Sequence, residues 1–296
     1  KTAYEIRPRD WSSDVCSSDL VVATATVADM ARRDEAHSKP MLPIFLTVFI
    51  DLVGFSILIP VFPLLISPGS PFKVTPDGWT PKEGLIMLGF LQAVYPLCTF
   101  LAAPILGQLS DRFGRRPVLA LSIAGTALGY AIFALGIHWA SIPMLFLGRA
   151  LDGLTGGNLA VAQAAIGDVS TDANRQKNFG LLGAAFGLGF IIGPYIGGKL
   201  SQADVSFYGL FHTPSWFDAT TPFWFATGLC IINVALIITR FPETNTHIDP
   251  DKHIALCASV RNVVQGFTSP RLRVPLMSSF LWNGGFTFFT TDRKST

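Results

Sequence analysis

Long stretches without a single charged residue are the feature that most limits how this chain can fold. Residues 118–137 read VLALSIAGTALGYAIFALGI, and residues 179–198 likewise contain no Asp, Glu, Lys or Arg. An α-helix needs about 20 mostly apolar residues to cross the ~30 Å hydrocarbon core of a bilayer, and unpaired backbone groups are not tolerated there. We therefore predict six membrane-spanning helices, at residues 41–66, 84–106, 117–137, 142–166, 179–200 and 222–240.

The composition supports a membrane protein and argues against several other classes. Half of the 296 residues are hydrophobic and only 14% are charged, whereas a soluble domain has about a quarter charged residues. A soluble fold would leave large apolar patches exposed to water. The net charge of +2 is too small to indicate a nucleic-acid partner. The four cysteines have no C-x-x-C spacing, which argues against a disulfide framework and a metal site.

The two ends of the chain differ from the rest. Residues 1–20 are polar and aperiodic, lack the apolar core of a signal peptide, and resemble translated sequencing-adapter read-through. The final residues TTDRKST interrupt an apolar run. We interpret residues 1–29 as a non-native or disordered leader before a native start at Met30, and residues 291–296 as an artefact; a disordered native tail is the alternative for the leader.

The remaining residues divide into three predicted regions. We expect a transmembrane bundle at residues 30–240 and a cytoplasmic central linker at residues 241–273. Residues 274–290 look like the start of a truncated seventh helix that continues in the native chain.

The distribution of Lys and Arg predicts the orientation of the bundle. Loops on the cytoplasmic side of a membrane contain an excess of these residues. If the N-terminus is cytoplasmic, the outside segments contain only Lys73, Lys82 and Lys199. The inside segments then contain Arg32, Arg33, Lys39, Arg112, Arg115, Arg116, Arg175, Lys177, Arg240, Lys252, Arg261, Arg271 and Arg273. We therefore predict a multi-pass protein of the plasma or inner membrane with a cytoplasmic N-terminus.

One acidic residue lies in the middle of an otherwise apolar segment. Asp51 stands about ten residues into the first predicted span, in FLTVFIDLVGFSILIPVFP. A charge near the bilayer centre costs about 2.5–3.5 kcal/mol on insertion scales, so we expect Asp51 to face away from lipid. Thr47, Asp51 and Gly54 have helical spacing and share one face. Two interpretations remain open: an acid hydrogen-bonded in a helix contact, or a cavity acid that takes up a proton or a cation.

The fourth predicted span also contains charged residues. Arg149 and Asp152 are three residues apart, a spacing that permits an ion pair within one helix. Such a pair can lower the cost of insertion without any function. The alternative is a central cavity where two inverted three-helix repeats meet. The residues that we predict to form this proton and substrate cavity are Asp51, Arg149, Asp152, Gln92 and Gln163. Tyr95 and Thr99 would form another part of its wall.

Glycine is unusually frequent in the fifth predicted span. Three glycines recur every four residues, which predicts a groove where another backbone approaches closely. A proline in the same segment removes one helical hydrogen bond and favours a kink. The residues of this motif are Gly180, Gly189, Gly193, Pro194, Gly197 and Gly198.

The link between the second and third spans combines charges and glycines in the sequence GQLSDRFGRRP. The excess of positive charge on the inside explains its arginines. It does not explain the glycines or Asp111, which can pair with a basic neighbour or a helix N-terminus. The residues that we single out in this link are Gly107, Asp111, Arg112, Gly114, Arg115 and Arg116.

Together these motifs resemble the major facilitator superfamily, and specifically its drug:proton antiporters related to tetracycline exporters. The 107–116 link is similar to the superfamily signature between helices two and three, and the glycine pattern is similar to the helix-five motif of antiporters. Arg149 and Gly153 resemble the helix-four motif. The residues that resemble the first-helix motif of tetracycline exporters are Asp51, Gly54, Pro60 and Pro63. The resemblance covers residues from about 41 to 290.

The resemblance implies an all-α membrane protein of the major facilitator type. Its N-terminal six-helix bundle would consist of two inverted three-helix repeats, followed by the start of a seventh helix. Family members have twelve helices, so the C-terminal six-helix half is missing from this chain. In two places the chain departs from the family: Gly129 stands where tetracycline exporters have an acid, and Asp152 stands where Gln is common. The first departure argues against tetracycline itself as the substrate.

The resemblance also implies a function, namely proton-coupled efflux of a small amphipathic or drug-like compound by alternating access. This is the type of transport associated with multidrug resistance. Asp51 would bind a proton or a cationic substrate, and Arg149 would bias the protonation state of the acid. The 107–116 link would latch one conformation by contact with the other half.

Two other function classes compete with efflux. The same fold could import a small metabolite as a proton- or sodium-coupled symporter. An enzyme would need a grouped nucleophile and base, or metal ligands. No such group is predicted around the histidines, which lie in the leader or in loops: His37, His138, His212, His247 and His253. We therefore predict a protein that is not an enzyme, has no cofactor or metal, and has protons, a small molecule and the lipid bilayer as partners.

Overall fold

Seven α-helices and a short hairpin make up residues 41–245 of the computed structural model. The structure describes residues 41–67, 69–207 and 211–245, together with 265–266, 268–269, 272–278 and 281. The helices are α1 (Met41–Ile57), which is followed by a 3-10 helix (Ile59–Leu65), α2 (Pro81–Phe113), α3 (Arg115–His138), α4 (Ile142–Thr155), α5 (Asn158–Val169), α6 (Arg175–Leu200) and α7 (Thr221–Arg240). Strands β1 (Ser206–Phe207) and β2 (Phe211–His212) pair antiparallel between α6 and α7.

Several predictions fall on residues outside this description. The leader at 1–29 and the terminal segment at 291–296 lie outside it. The predicted linker at 241–273 and the predicted seventh helix at 274–290 lie inside it only in part. Those predictions remain expectations.

Five of the six predicted spans are continuous helices long and apolar enough to cross a membrane. They are Met41–Leu65, Pro81–Phe113, Arg115–His138, Arg175–Leu200 and Thr221–Arg240. The first span changes from α-helix to 3-10 helix at its end, where Pro60 and Pro63 cannot donate backbone hydrogen bonds. The described residues therefore form a helical bundle of the predicted membrane type.

The fourth span differs from the prediction of a single helix over 142–166. It consists of α4 and α5, which have 14 and 12 residues and are separated at Gly156 and Gly157. Both glycines pack tightly against α2: a Cβ at Gly157 would lie 2.9 Å from Ala103 Cα, and one at Gly156 would lie 3.0 Å from Tyr95 Oη. Two consecutive glycines weaken a helix by about 1 kcal/mol each relative to alanine, so this close crossing coincides with a break in the helix.

The helices pack around a mostly aliphatic core that contains a group of contacting aromatic rings. α3 lies against α4 and α7, α1 lies against α6 and α7, and α2 lies against α4. Phe133 stacks on Phe223 with ring centroids 4.5 Å apart, and Phe62 meets Phe133 edge-on at 6.0 Å. In contrast, α2 and α6 leave large apolar side chains such as Phe90 and Ile191 exposed. These outer faces suit contact with lipid or with another helical bundle.

Candidate functional site

A cavity of about 570 Å³ opens between α1, α2, α6 and the break that separates α4 from α5. Its wall is mainly apolar and aromatic, as in most small-molecule sites. The aromatic side chains that line it are Phe55, Tyr95, Phe100, Phe186 and Phe190. The polar side chains that line it are Asp51, Tyr95, Thr99, Asn158 and Gln163.

Asp51 is held at the edge of this cavity by the first residue of α5. Asn158 Nδ2 donates a hydrogen bond to Asp51 Oδ1 at 2.8 Å, and Asn158 Oδ1 accepts from the backbone N–H of Leu159 at 2.7 Å. Asn158 is buried, whereas Asp51 is half-buried and lines the cavity. The break in the fourth span thus places the N-terminus of α5 beside Asp51, and a helix N-terminus favours negative charge.

Arg149 and Asp152 form the predicted ion pair within α4. Arg149 Nη1 lies 3.0 Å from Asp152 Oδ2, and the two residues are only 4% and 1% exposed. Neither residue lines the cavity. The Arg149 guanidinium lies 5.0 Å from the centre of the Phe62 ring and 5.1 Å from that of Tyr95. Because Tyr95 lines the cavity, its ring separates Arg149 from the cavity.

The structure therefore divides the five predicted cavity residues into three groups. Asp51 and Gln163 line the cavity, and Arg149 and Asp152 are buried behind its wall. Gln92 on α2 is exposed and does not line the cavity.

Asp152 lies directly against Gly129 of α3. A Cβ at Gly129 would lie 3.0 Å from the Asp152 backbone nitrogen and 3.1 Å from Asp152 Cβ. The same Cβ would lie 3.0 Å from Gly148 O. Close packing of two backbones thus leaves little room for a side chain at position 129, and the buried acid at this level of the bundle comes from α4.

The link between the second and third spans is shorter than the loop predicted at 107–116. α2 continues to Phe113 and α3 begins at Arg115, so Gly114 alone joins the two helices. Gly114 has a φ of 99°, a left-handed conformation that glycine adopts readily. The residues from Gly107 to Phe113 therefore belong to the last two turns of α2.

At this junction, the Arg115 side chain forms ion pairs with two acids, Asp111 and Asp168. Its Nη1 lies 2.6 Å from Asp111 Oδ1, and its Nε donates to Asp168 Oδ2 at 3.0 Å. It also donates to Ser110 Oγ at 2.5 Å. Asp168 lies near the end of α5, so Arg115 connects α2, α3 and the fourth span.

Glu243, just after α7, caps the start of α3. Its carboxylate accepts backbone hydrogen bonds from Arg115 at 2.8 Å and from Arg116 at 3.1 Å. Asn245 donates to the backbone oxygen of Asp111 at 3.0 Å, and Arg116 donates to the backbone oxygen of Ile238. The sequence analysis missed Glu243, although an acid directly after the last turn of a span and near a basic link could have indicated it.

The remaining residues of the predicted motifs have these positions. Arg112 is half-buried, with its guanidinium 5.3 Å from the centre of the Phe113 ring. A Cβ at Gly107 would meet nothing within 4 Å. The contacts of the 107–116 link described above are thus made by Asp111, Arg115 and Arg116, with partners in α2, α5, α7 and the residues just after α7.

The glycines of α6 lie against α1. A Cβ at Gly193 would overlap Ser56 Oγ, and one at Gly197 would overlap the backbone oxygen of Ile57. Ser56 Oγ donates to the backbone oxygen of Gly189 at 2.8 Å. This is the close approach that the four-residue spacing predicts. At Gly180 and Gly198 a Cβ would meet nothing within 4 Å, and α6 continues past Pro194.

Comparison with known proteins decides the family. The sequence profile described as Major Facilitator Superfamily matches residues 44–292. The chain belongs to this superfamily. It is 36% identical over 221 residues to the class B tetracycline resistance protein of Escherichia coli, covering 74% of this chain and 48% of that protein. It is 34% identical over 207 residues to the class H protein of Pasteurella multocida, covering 70% of this chain and 45% of that protein.

A solved structure shows the same fold. The crystal structure of the human organic anion transporter MFSD10 (TETRAN) matches with a TM-score of 0.59 at 24% identity, over 76% of this chain and 52% of that one. The chain thus spans about half the length of these members of the superfamily. Membership, together with five apolar helices long enough to span a bilayer, makes the chain a multi-pass membrane protein of a family that is not enzymatic.

Proposed function

We propose that the protein to which this chain belongs exports small amphipathic or drug-like compounds in exchange for protons. The observation that carries the proposal is Asp51, an acid near the middle of a span that lines an apolar, aromatic cavity of about 570 Å³. An ionisable side chain inside the membrane is costly, and it marks a substrate or proton pathway when it faces a cavity. The relatives named as tetracycline resistance proteins support efflux as the direction.

The N-terminus is cytoplasmic in this proposal. The start of α1, the α2–α3 junction and the end of α7 lie at one end of the bundle, where Glu243 caps α3. This end contains Arg112, Arg115 and Arg116, and an excess of positive charge is typical of the cytoplasmic side. The other end contains the β1–β2 hairpin and the connection between α1 and α2.

In the transport cycle, Asp51 exchanges a proton for substrate. When the cavity opens to the outside, the Asp51 carboxylate takes up a proton, and the substrate leaves its contacts with the aromatic wall. When the cavity opens to the cytoplasm, the acid releases the proton and a new substrate binds. Asn158 holds the Asp51 carboxyl at 2.8 Å in position for both steps. Movement of one charge across ~100 mV provides about 2.3 kcal/mol.

Arg149 acts on this exchange through the wall of the cavity. Its charge is balanced by Asp152 at 3.0 Å and is covered by the rings of Phe62 and Tyr95. A rearrangement of Tyr95 when substrate binds would alter how strongly Arg149 acts on Asp51. Arg149 is therefore a positioning residue in this proposal, and Tyr95 is the residue that contacts the substrate.

The 107–116 link acts as a conformational latch in the same cycle. Arg115 and Glu243 connect α2, α3, α5 and the residue segment after α7. The exposed apolar faces of α2 and α6 are the surfaces that a second six-helix bundle would cover. The link would latch one conformation of the cycle by contact with that second half.

The test is pH-driven transport in vesicles that contain the full-length protein. Asp51→Asn keeps the size and the hydrogen bond to Asn158 but cannot exchange a proton. We expect it to abolish substrate movement driven by an imposed pH gradient while expression is unchanged. Asp77→Asn, which changes a fully exposed acid in the connection between α1 and α2, is the matched control and should transport normally. Undiminished gradient-driven transport by Asp51→Asn would refute the proposal.

The direction of coupling is tested in the same vesicles. Efflux by antiport predicts that substrate accumulates against the direction in which protons move. Accumulation in the direction of proton movement would identify a symporter instead.

A further inference from the structure

A second, very small cavity lies next to Asp51. Its volume is about 10 Å³, close to the ~10–15 Å³ that is enough for one water molecule. Three polar residues line it, namely Thr47, Asp51 and Asn158. Asp51 and Asn158 also line the large cavity, so their hydrogen-bonded pair stands between the two spaces.

The small cavity lies on the side of Asp51 that faces the α2–α3 junction. Thr47 lies one turn before Asp51 in α1, towards the end where α1 begins. Leu119 and Ile123, which contribute to its apolar wall, belong to the first turns of α3. In the orientation proposed above, this is the cytoplasmic side of Asp51.

The Thr47 hydroxyl is a polar group at this cavity that makes no hydrogen bond to any of the described residues. Its Oγ is buried and has no hydrogen-bond partner among the residues that the structure describes, and the whole residue is 1% exposed. A threonine hydroxyl in a helix ordinarily bonds to a carbonyl one turn earlier. Leaving a buried hydroxyl unpaired costs about 1–3 kcal/mol, so a partner for this hydroxyl is expected.

Asn233 of α7, which contacts Thr47, also has an unsatisfied polar atom. Asn233 Nδ2 donates to the backbone oxygen of Thr47 at 2.9 Å. Its Oδ1 is buried and lacks a partner within the described ranges. Of these two contacting residues, Thr47 lines the small cavity, and a buried polar group without a protein partner is where buried water is found in proteins.

We propose that the small cavity holds one water molecule, hydrogen-bonded between the Thr47 hydroxyl and the Asp51 carboxyl. The water is the first carrier of the proton that Asp51 releases towards the α2–α3 end. This role rests on the proposed function, whereas the water site itself does not.

The proton transfer follows from the positions of these groups. The O–H bond of the protonated Asp51 carboxyl breaks as an O–H bond to the water oxygen forms, which leaves a carboxylate and a hydronium. Thr47 accepts a hydrogen bond from the hydronium and holds it in place. Leu119 and Ile123 separate it from the end of the bundle, so release requires that α1 and α3 move apart there.

The water site can be tested without transport, by radiolytic labelling of the full-length protein in lipid nanodiscs. An X-ray pulse converts bound water to hydroxyl radicals, which oxidise neighbouring side chains, and mass spectrometry locates the products. We expect Leu119 and Ile123 to be labelled although both are only 1% exposed. Ile166 and Phe133, which are 2% and 1% exposed and line neither cavity, are the internal controls and should stay unlabelled. Equal labelling of the two groups would overturn the proposal.

A pair of variants tests the role of the hydroxyl. Thr47→Val keeps the branched shape and removes the hydroxyl, and we expect it to abolish the labelling of Leu119. Thr227→Val is the matched control, because the Thr227 hydroxyl bonds to the backbone of its own helix at Phe223 O, 2.8 Å away, and it should label as the unchanged protein does. Retained labelling in Thr47→Val would exclude the hydroxyl as the water's partner.

Transport assays test whether the water carries a proton, which is a separate question from whether the water is bound. Thr47→Val should slow pH-gradient-driven transport by about tenfold, the effect of losing one hydrogen bond, and should slow substrate exchange without a gradient much less. An equal loss in both assays would overturn the proton-carrier role and leave only a packing effect. If Asp51→Asn transports normally, the proposed function fails, but the labelling result still decides whether the water is bound.

Discussion

The contact between α1 and α6 predicts opposite effects for two neighbouring glycines. A Cβ added at Gly197 would overlap the backbone oxygen of Ile57, whereas one added at Gly198 would meet nothing within 4 Å. Gly197→Ala therefore requires the two helices to shift at this point, and a gap of about 0.5–1 Å already removes a quarter to a half of each local dispersion contact.

The magnitude follows from two opposing contributions. Overpacking costs about 1–3 kcal/mol, and the upper end applies here because a backbone carbonyl cannot rotate away from the new methyl group. Alanine in place of glycine recovers about 1 kcal/mol of helix propensity. We expect Gly197→Ala to lower the free energy of unfolding by about 2 kcal/mol and Gly198→Ala to raise it by up to about 1 kcal/mol.

The assay is thermal unfolding of the full-length protein followed with a thiol-reactive dye. Cys230 is buried at 2% exposure, so it reports unfolding when it becomes reactive. Gly197→Ala should melt below the unchanged protein, and Gly198→Ala should melt at or above it. The reverse order, or equal melting of both variants, would refute the packing of α6 against α1 described here.

Two further predictions concern the α2–α3 junction and the site. Glu243→Ala removes both hydrogen bonds that cap α3 and should lower the free energy of unfolding by about 0.5–2 kcal/mol. The control is Asp77→Ala, at a fully exposed acid, which should leave the melting temperature unchanged. Asn158→Ala releases Asp51 and should reduce gradient-driven transport by roughly tenfold or more, while Gln163→Ala, at the exposed rim of the cavity, should mainly weaken substrate binding measured at equilibrium.

The sequence predicts the spans well because apolar runs in lipid leave helices as the only way to pair the backbone. It does not predict the break at Gly156 and Gly157, because the TGGN stretch at residues 155–158 only weakens a helix locally and apolar residues on both sides favour one long span. What separates α4 from α5 is the crossing with α2, which brings Ala103 Cα within 2.9 Å of a Cβ built at Gly157. Such a contact between distant segments has no local signal.

The candidate site shows the same limit. Helical spacing predicts the Arg149–Asp152 ion pair, because both partners belong to one turn of one helix. It does not indicate that the Tyr95 ring stands between Arg149 and the cavity. Helical spacing also indicates the pairing of Arg115 with Asp111, but it does not reveal that Asn158 bonds to Asp51 or that Glu243 bonds to Arg115, because these partners are more than a hundred residues apart along the chain.

Proton release on substrate binding tests the central claim most directly. The full-length protein is purified in detergent at low buffer concentration, substrate is added, and a pH indicator records the protons that leave. We predict that substrate binding acidifies the solution, and that the Asp51→Asn variant binds the same substrate with no acidification. Equal proton release by the variant and the unchanged protein would contradict the claim that Asp51 is the group at which proton and substrate exchange.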